Sequence, residues 1–173
     1  GKFDDALEDY KEIKSDRVPF EQRPWMKAAA ITDAVIRAMR GRGKYALIRL
    51  NYQNGDMVGR TGSIQSSILA VETGDLCLAR RIQEVARRTG VAIVPADHGN
   101  ADDMYEREKD GSFLIDSETG RPKARSSHSL NPVPFLIVDA AEPTRWRLRD
   151  DLPQAGLANI AATALGIMGF RAP

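Results

Sequence analysis

The sequence predicts an α/β fold built in three layers, in which a mostly parallel sheet carries helices on both faces. Three short apolar runs have the length and composition of strands, at residues 44–50, 91–95 and 134–138. Segments with apolar residues at helical spacing lie before, between and after these runs. Alternation of strands and helices is typical of parallel sheets, because a helix returns the chain to begin the next strand in the same direction. The 173 residues contain no convincing internal boundary, so we expect one domain over residues 1–173.

The first two helices are predicted by apolar stripes and by residues that start or end helices. Pro24 suits the first turn of a helix, and the apolar face that follows it stops at Gly41. A longer helix is predicted from about Gly62 to Arg88. Its apolar stripe recurs in steps of three, four or seven residues and consists of Ile64, Ile68, Val71, Leu78, Ile82 and Val85.

The second half of the chain is predicted to contain a long polar loop and a terminal helix. Residues 106–127 are rich in Asp, Gly, Ser and charge, and residues 112–125 within them suit a small surface hairpin. Residues 152–170 form an apolar helical segment. Its most apolar stretch, Leu157 to Met168, is too short to span a bilayer.

Composition argues against several classes of partner. The net charge of +1 gives no electrostatic case for binding nucleic acid or an anionic membrane surface. The chain has one cysteine, Cys77, so no disulfide forms within it, which suits the cytoplasm. We interpret Cys77 as a small buried hydrophobic residue. The polar start, residues 1–5, has no initiator Met and no secretory signal, so we expect a cytoplasmic protein longer than this chain.

Three polar clusters adjoin the predicted strands. NYQNGDMVGRTG follows strand 44–50, ADHGNADD follows strand 91–95, and RSSHSLNPVP precedes strand 134–138. Ligands of open parallel sheets gather beyond the carboxyl ends of the strands. The first two clusters therefore share one edge of the sheet, and the third reaches the same edge if its loop folds back.

The acidic residues and the two histidines of these clusters suggest a metal site. Asp97 and His98 are adjacent at a strand end, and a bend at Gly99 would let the two side chains converge. A carboxylate and an imidazole are a typical ligand pair for a first-row metal, although a strand-end turn also explains them. His128 and Asp56 lie in the other two clusters. Two carboxylates and two imidazoles suit manganese, zinc, iron or cobalt.

The three clusters together resemble motifs of cofactor-independent phosphoglycerate mutase, a family within the alkaline phosphatase superfamily. The matching blocks are NYQNGDMVG-TG, PADHGNADDM and HSLNPVPFLIV, and the resemblance runs from about Val18 to the end. It implies the carboxyl-terminal part of an alkaline-phosphatase-like domain, a partial domain without the amino-terminal segment and the inserted substrate domain. The family interconverts 2-phosphoglycerate and 3-phosphoglycerate in glycolysis through a phosphoserine intermediate at two metal ions, usually manganese. We expect phosphoglycerate as the ligand and a monomer when the protein is complete.

The resemblance also implies roles for individual residues. Asp97 and His98 would ligate the ion that also binds the nucleophilic serine, and Asp56 and His128 would ligate the second ion. The family has a third ligand of that second ion, a histidine, where this chain has Arg60. A guanidinium has no lone pair to offer a metal, so the second site is expected to be weak or filled in another way. Arg60 instead suits a phosphate group, or its presence switches the site off.

The serine nucleophile and a further aspartate ligand lie near the family's amino terminus and have no counterpart in this chain. We therefore assign no catalytic residue and expect no mutase activity from the chain alone. Two other interpretations stay open. One is a different metal-dependent phosphatase or phosphomutase of the same superfamily, and the other is a non-catalytic module that binds metal or phosphate.

Overall fold

A computed structural model describes residues 4–41 and 43–171. The ends of the predicted domain, residues 1–3 and 172–173, lie outside the described residues, as does residue 42. A short 3-10 turn at Phe20–Gln22 precedes the first helix. The regular elements in chain order are α1 (Ala28–Arg40), α2 (Asn54–Gly59), α3 (Ile64–Arg87), β1 (Val91–Pro95), β2 (Phe135–Asp139) and α4 (Asn159–Ile167).

The two strands pair antiparallel, with Val91 opposite Asp139 and Pro95 opposite Phe135. The sheet of the described residues is therefore two-stranded and antiparallel, which differs from the mostly parallel order expected of the sequence. A parallel pair needs a crossover connection, usually through a helix. The connection here, residues 96–134, forms no helix, so the chain returns along β1 in the opposite direction.

The predicted strand at residues 44–50 is wrong, because these residues form no strand in the structure. A strand needs a neighbouring backbone to pair its N–H and C=O groups, and an apolar run does not supply one. Leu47 is 62% exposed. Lys44 Nζ and Tyr45 Oη both donate to the carboxylate of Asp9, each at 2.6 Å.

The two long helices are confirmed close to their predicted limits. Gly62 has a φ of +75°, a backbone conformation that favours glycine, and it turns the chain between α2 and α3. Ser63 then caps α3, where its side chain accepts a hydrogen bond from the backbone N–H of Ser66. Cys77 on α3 is buried with a free thiol, as predicted. In the part of the chain that the structure describes, no helix is long and apolar enough to cross a membrane.

The buried face of α3 is not the predicted apolar stripe. Ile64, Ile68 and Val71 are each about half exposed, at 53%, 52% and 54%. The buried residues of the helix are instead Ser67, Ala70, Cys77 and Glu84. These side chains are small apart from Glu84, and small side chains allow close approach where α3 packs against α1 and α2.

The polar loop contains the predicted hairpin in an irregular form. Ile115 bridges Pro122, and Lys123 donates its backbone N–H to the carbonyl oxygen of Leu114 at 2.8 Å. The Asp116 carboxylate accepts from the backbone N–H of Thr119 at 2.8 Å and stabilises the turn. The predicted terminal helix is confirmed as the shorter α4.

Candidate metal centre

The antiparallel pairing of β1 and β2 brings two of the polar clusters together. The carboxyl end of β1 lies beside the amino end of β2, so the loop before β2 does not need to fold back. Pairing continues past the strands, since Ala96 donates its N–H to the Pro134 carbonyl oxygen at 3.2 Å. Ser129 likewise donates to the Gly99 carbonyl oxygen at 3.0 Å. His98 and His128 each precede one residue of this last pair, which places them side by side.

The third cluster reaches the same place because α2 is anchored against the rest of the fold. Asn54, 3% exposed, donates its side-chain amide to the Pro24 carbonyl oxygen at 2.8 Å. Val58 is fully buried. Gly59 lies directly against Asn100, and a β-carbon at position 59 would be 2.0 Å from Asn100 Oδ1. This anchored helix carries Asp56 towards the two histidines.

Asp56, His98 and His128 form a group that can hold a metal ion. Each offers one ligand atom, and the three atoms lie within 4.8 Å of one another. The two imidazole rings stack with centroids 3.5 Å apart and an interplanar angle of 13°. His128 Nε2 is 3.4 Å from Asp56 Oδ1. One carboxylate oxygen and two imidazole nitrogens suit a first-row divalent ion.

Asp97, the fourth ligand expected from the sequence, lies at the rim of this group. Its side chain is 80% exposed, and its Oδ2 is 3.7 Å from His98 Nε2. The structure therefore brings three of the four residues together and leaves the fourth beside His98. The assignment of Asp97 with His98 to one ion, and of Asp56 with His128 to another, stays a prediction.

Arg60 occupies ligand atoms of two members of the group, Asp56 and His128. Its Nε donates to Asp56 Oδ1 at 2.9 Å and its Nη2 to Asp56 Oδ2 at 3.0 Å. The same Nη2 contacts His128 Nε2. A guanidinium has donors only, so this imidazole nitrogen must be the one with the lone pair. The cation of Arg60 is thus bound by both carboxylate oxygens and by an imidazole nitrogen.

Sequence reasoning missed the side chain that joins the two histidine-bearing loops, Asp102. Its Oδ2 accepts a hydrogen bond from Ser129 Oγ at 2.8 Å and another from Asn131 Nδ2 at 2.5 Å. Burial by itself would raise the pKa of Asp102, but the bonds from Asn131 and Ser129 outweigh it and hold the pKa below its usual value. The signal that could have identified it is the second polar half of each motif, NADD and HSLN.

Asn100 fills the space between α2 and the loop after β1. It is 3% exposed, and among the described residues its side-chain amide has no hydrogen-bond partner. The structure shows it packed against Gly59, which fixes the separation of the two elements that carry Asp56 and His98.

Comparison with known proteins identifies the family. A family profile described as the Metalloenzyme superfamily matches residues 1–172. The chain belongs to the Metalloenzyme superfamily. It is similar over all 173 residues to the 2,3-bisphosphoglycerate-independent phosphoglycerate mutase of Trypanosoma brucei brucei, with 47% identity. It is 41% identical to such an enzyme of Arabidopsis thaliana.

Comparison with solved structures also finds a phosphoglycerate mutase. A crystal structure of Leishmania mexicana phosphoglycerate mutase at low cobalt concentration matches the whole chain with a TM-score of 0.91 and 46% identity. The resemblance expected from the motifs and the alkaline-phosphatase-like fold class are thereby confirmed, the latter as a partial domain. The chain spans 31% of the length of these relatives.

The donor set fits the chemistry of a metal-binding member of the superfamily. The atoms of Asp56, His98 and His128 converge, and a positive group, the guanidinium of Arg60, already lies against two of these residues. The group therefore accommodates a cation next to the Asp56 carboxylate.

Proposed function

We propose that the chain is a metal-binding segment of a phosphoglycerate mutase, which interconverts 2-phosphoglycerate and 3-phosphoglycerate. The observation that carries the proposal is the convergence of Asp56, His98 and His128 in a chain 47% identical to a protein named for this activity. Because the chain spans 31% of that relative, we assign the activity to the complete protein. We expect no turnover by the 173 residues alone, and we place the protein in cytoplasmic glycolysis.

The ligands are proposed from the motif residues. Asp97 and His98 would hold one divalent ion and Asp56 and His128 a second, with manganese as the metal. Bound ions would neutralise negative charge on phosphoryl oxygens and orient the group for in-line transfer. The residues of this chain hold the ligands in place, since Asp102 ties the two histidine-bearing loops together.

Arg60 is proposed as a group that binds phosphate. Its planar fork suits two phosphoryl oxygens as well as it suits the Asp56 carboxylate, which it binds through two nitrogens. The side chain is 37% exposed, so an anion from solvent can reach it. In this role Arg60 would bind the substrate phosphate beside the ligands of the second ion.

A second candidate function is a non-catalytic module that binds metal or phosphate. One observation favours it, which is that the Arg60 guanidinium occupies Asp56 and contacts His128. With Arg60 on these two metal ligands, the site would bind metal or phosphate without supporting phosphoryl transfer. The two candidates differ in whether the segment supports catalysis inside a complete enzyme.

A segment exchange tests the choice between the candidates. The 173 residues replace the matching part of the Trypanosoma brucei brucei relative, with which they share 47% identity. We expect the folded chimera to interconvert the phosphoglycerates with manganese present, and the same chimera carrying His128→Ala to lose this activity. A chimera that folds and binds manganese but has no activity would favour the non-catalytic module. The isolated chain, assayed in parallel, should show no turnover.

A further inference from the structure

We propose that Arg60 is a tethered cation that competes with divalent metal ions for Asp56 and His128. The proposal concerns the metal site of the proposed function and rests on it. Loss of a ligand would weaken metal binding because an atom is missing, whereas a competitor weakens it because the guanidinium is present. Replacing Arg60 by any uncharged side chain should then strengthen metal binding, even when the new side chain offers no ligand atom.

Arg60 uses the atoms that a metal would use. Its Nε and Nη2 take one oxygen each of the Asp56 carboxylate, at 2.9 and 3.0 Å. Its Nη2 also takes the lone pair of His128 Nε2. A metal ion needs an oxygen of the first group and the lone pair of the second. Two of the three members of the group must therefore exchange partners before an ion is fully bound.

The charge of Arg60 also opposes metal binding. Asp56 and Arg60 together carry no net charge, so the pair attracts a divalent cation much less than a carboxylate alone would. Arg60 follows Asp56 by four residues and caps the carboxyl end of α2, the helix that carries Asp56. Its guanidinium therefore stays close to Asp56 even after a metal ion displaces it from the carboxylate. The displaced guanidinium would then repel the bound ion. The exposed carboxylate of Asp97 beside His98 offsets only part of this repulsion.

Solvent exposure of the Asp56–Arg60 pair limits the size of the effect. The side chains of Arg60 and Asp56 are 37% and 24% exposed, and ion pairs that water can reach contribute little free energy. Their two-nitrogen geometry makes this pair stronger than an ordinary surface pair. We therefore expect Arg60 to weaken metal binding by about threefold to tenfold, which leaves the site able to bind.

The test compares variants of the full 173-residue chain by calorimetric titration with Mn²⁺. Arg60→Met removes the guanidinium and adds no nitrogen or oxygen ligand, and Arg60→Gln is a second uncharged variant if the first lowers the thermal midpoint. Arg60→His removes the guanidinium and adds an imidazole. The matched control is Arg88→Met, because Arg88 makes the same four-residue pair with Glu84, at 3.0 Å, away from the metal group.

The expected Kd for Mn²⁺ falls about threefold to tenfold in Arg60→Met and by at least about tenfold more in Arg60→His, since each added ligand strengthens binding. Arg88→Met should bind as the wild type does. A folded Arg60→Met with a wild-type or higher Kd would overturn the competition, even if Arg60→His gains affinity. Absence of Mn²⁺ binding by every variant would overturn the proposed metal function as well, so the two failures are distinct.

Discussion

The backbone of Gly59 lies against the Asn100 side chain so closely that a β-carbon on Gly59 would be 2.0 Å from Asn100 Oδ1. Asn100 is buried, and the next backbone N–H, that of Ala101, would be 3.3 Å from the same β-carbon. The contact therefore sets the distance between α2, which carries Asp56, and the loop that carries His98.

Gly59→Ala tests this contact. The added methyl group has no room, so either Asn100 or α2 must move, and overpacking of this kind typically costs about 1–3 kcal/mol of unfolding free energy. We expect a loss of about 2 kcal/mol in urea unfolding, together with weaker Mn²⁺ binding.

The matched control is Gly55→Ala on the same helix, where a β-carbon would meet nothing within 4 Å. This change should be neutral or should stabilise the helix by up to about 1 kcal/mol, because alanine loses less backbone entropy than glycine. Equal effects of the two substitutions would show that the close approach at Gly59 does not matter.

Asp102→Ala should weaken metal binding although Asp102 lies outside the ligand group. The substitution removes the acceptor for Ser129 and Asn131, which follow His128 in the same loop, and residues that orient metal ligands are typically worth about 10- to 100-fold in affinity. We expect a Kd for Mn²⁺ raised about tenfold. Asp110→Ala is the control, because the Asp110 carboxylate accepts comparable hydrogen bonds from Ser112 in the polar loop. If Asp102→Ala binds Mn²⁺ as the wild type does, the hydrogen bonds of Asp102 contribute to stability alone.

The three clusters meet as expected, but the first arrives by another route. The strand at 44–50 that was to place it at the sheet edge does not form, and α2 carries Asp56 there instead. The strand at 44–50 could not be assigned correctly, since strand formation depends on a partner that lies elsewhere in the chain. The direction of β2 also depended on the connection, residues 96–134, whose lack of a helix has no strong local signature.

The Asp56–Arg60 pair could have been predicted from the sequence. Residues four apart face each other on a helix, so a helix at residues 54–59 would have placed the two side chains together. The segment contains Asn54 and Gly55, which favour turns, and tertiary anchoring through Asn54 and Val58 overrides that preference. The exposed Ile64 on α3 shows the converse, in which an apolar stripe does not decide which face packs.

Glu84 should make the free energy of unfolding depend on pH. Its buried carboxylate accepts from Arg40 Nη2 at 2.9 Å and Arg88 Nε at 3.0 Å, and these bonds lower its pKa from 4.5 to about 2. A carboxyl with a lower pKa in the folded state stabilises the fold above its unfolded pKa and loses this contribution as pH falls. The stabilisation is therefore full above about pH 4.5 and is lost between there and about pH 2.

Glu84→Gln should remove this pH-dependent contribution. At pH 7 the variant should unfold at a lower temperature than the wild type, and the difference should shrink as pH falls from about 4.5 towards 2. Glu72→Gln, at an exposed position of the same helix, removes a carboxylate without disturbing these arginines and should unfold like the wild type at pH 7. A difference between wild type and Glu84→Gln that stays constant with pH would contradict the role of the arginine pairs.

Metal removal should lower the thermal midpoint of the chain. An ion that binds only the folded state stabilises it according to its free concentration, by about 2.7 kcal/mol when that concentration is 100 times the Kd. Scanning calorimetry should show a midpoint that rises with added Mn²⁺ and returns to the metal-free value with a chelator. The double variant His98→Ala and His128→Ala removes both imidazoles of the group, so its midpoint should not respond to Mn²⁺ at the same concentrations. A response as large as that of the wild type would show that the two imidazoles do not hold the ion.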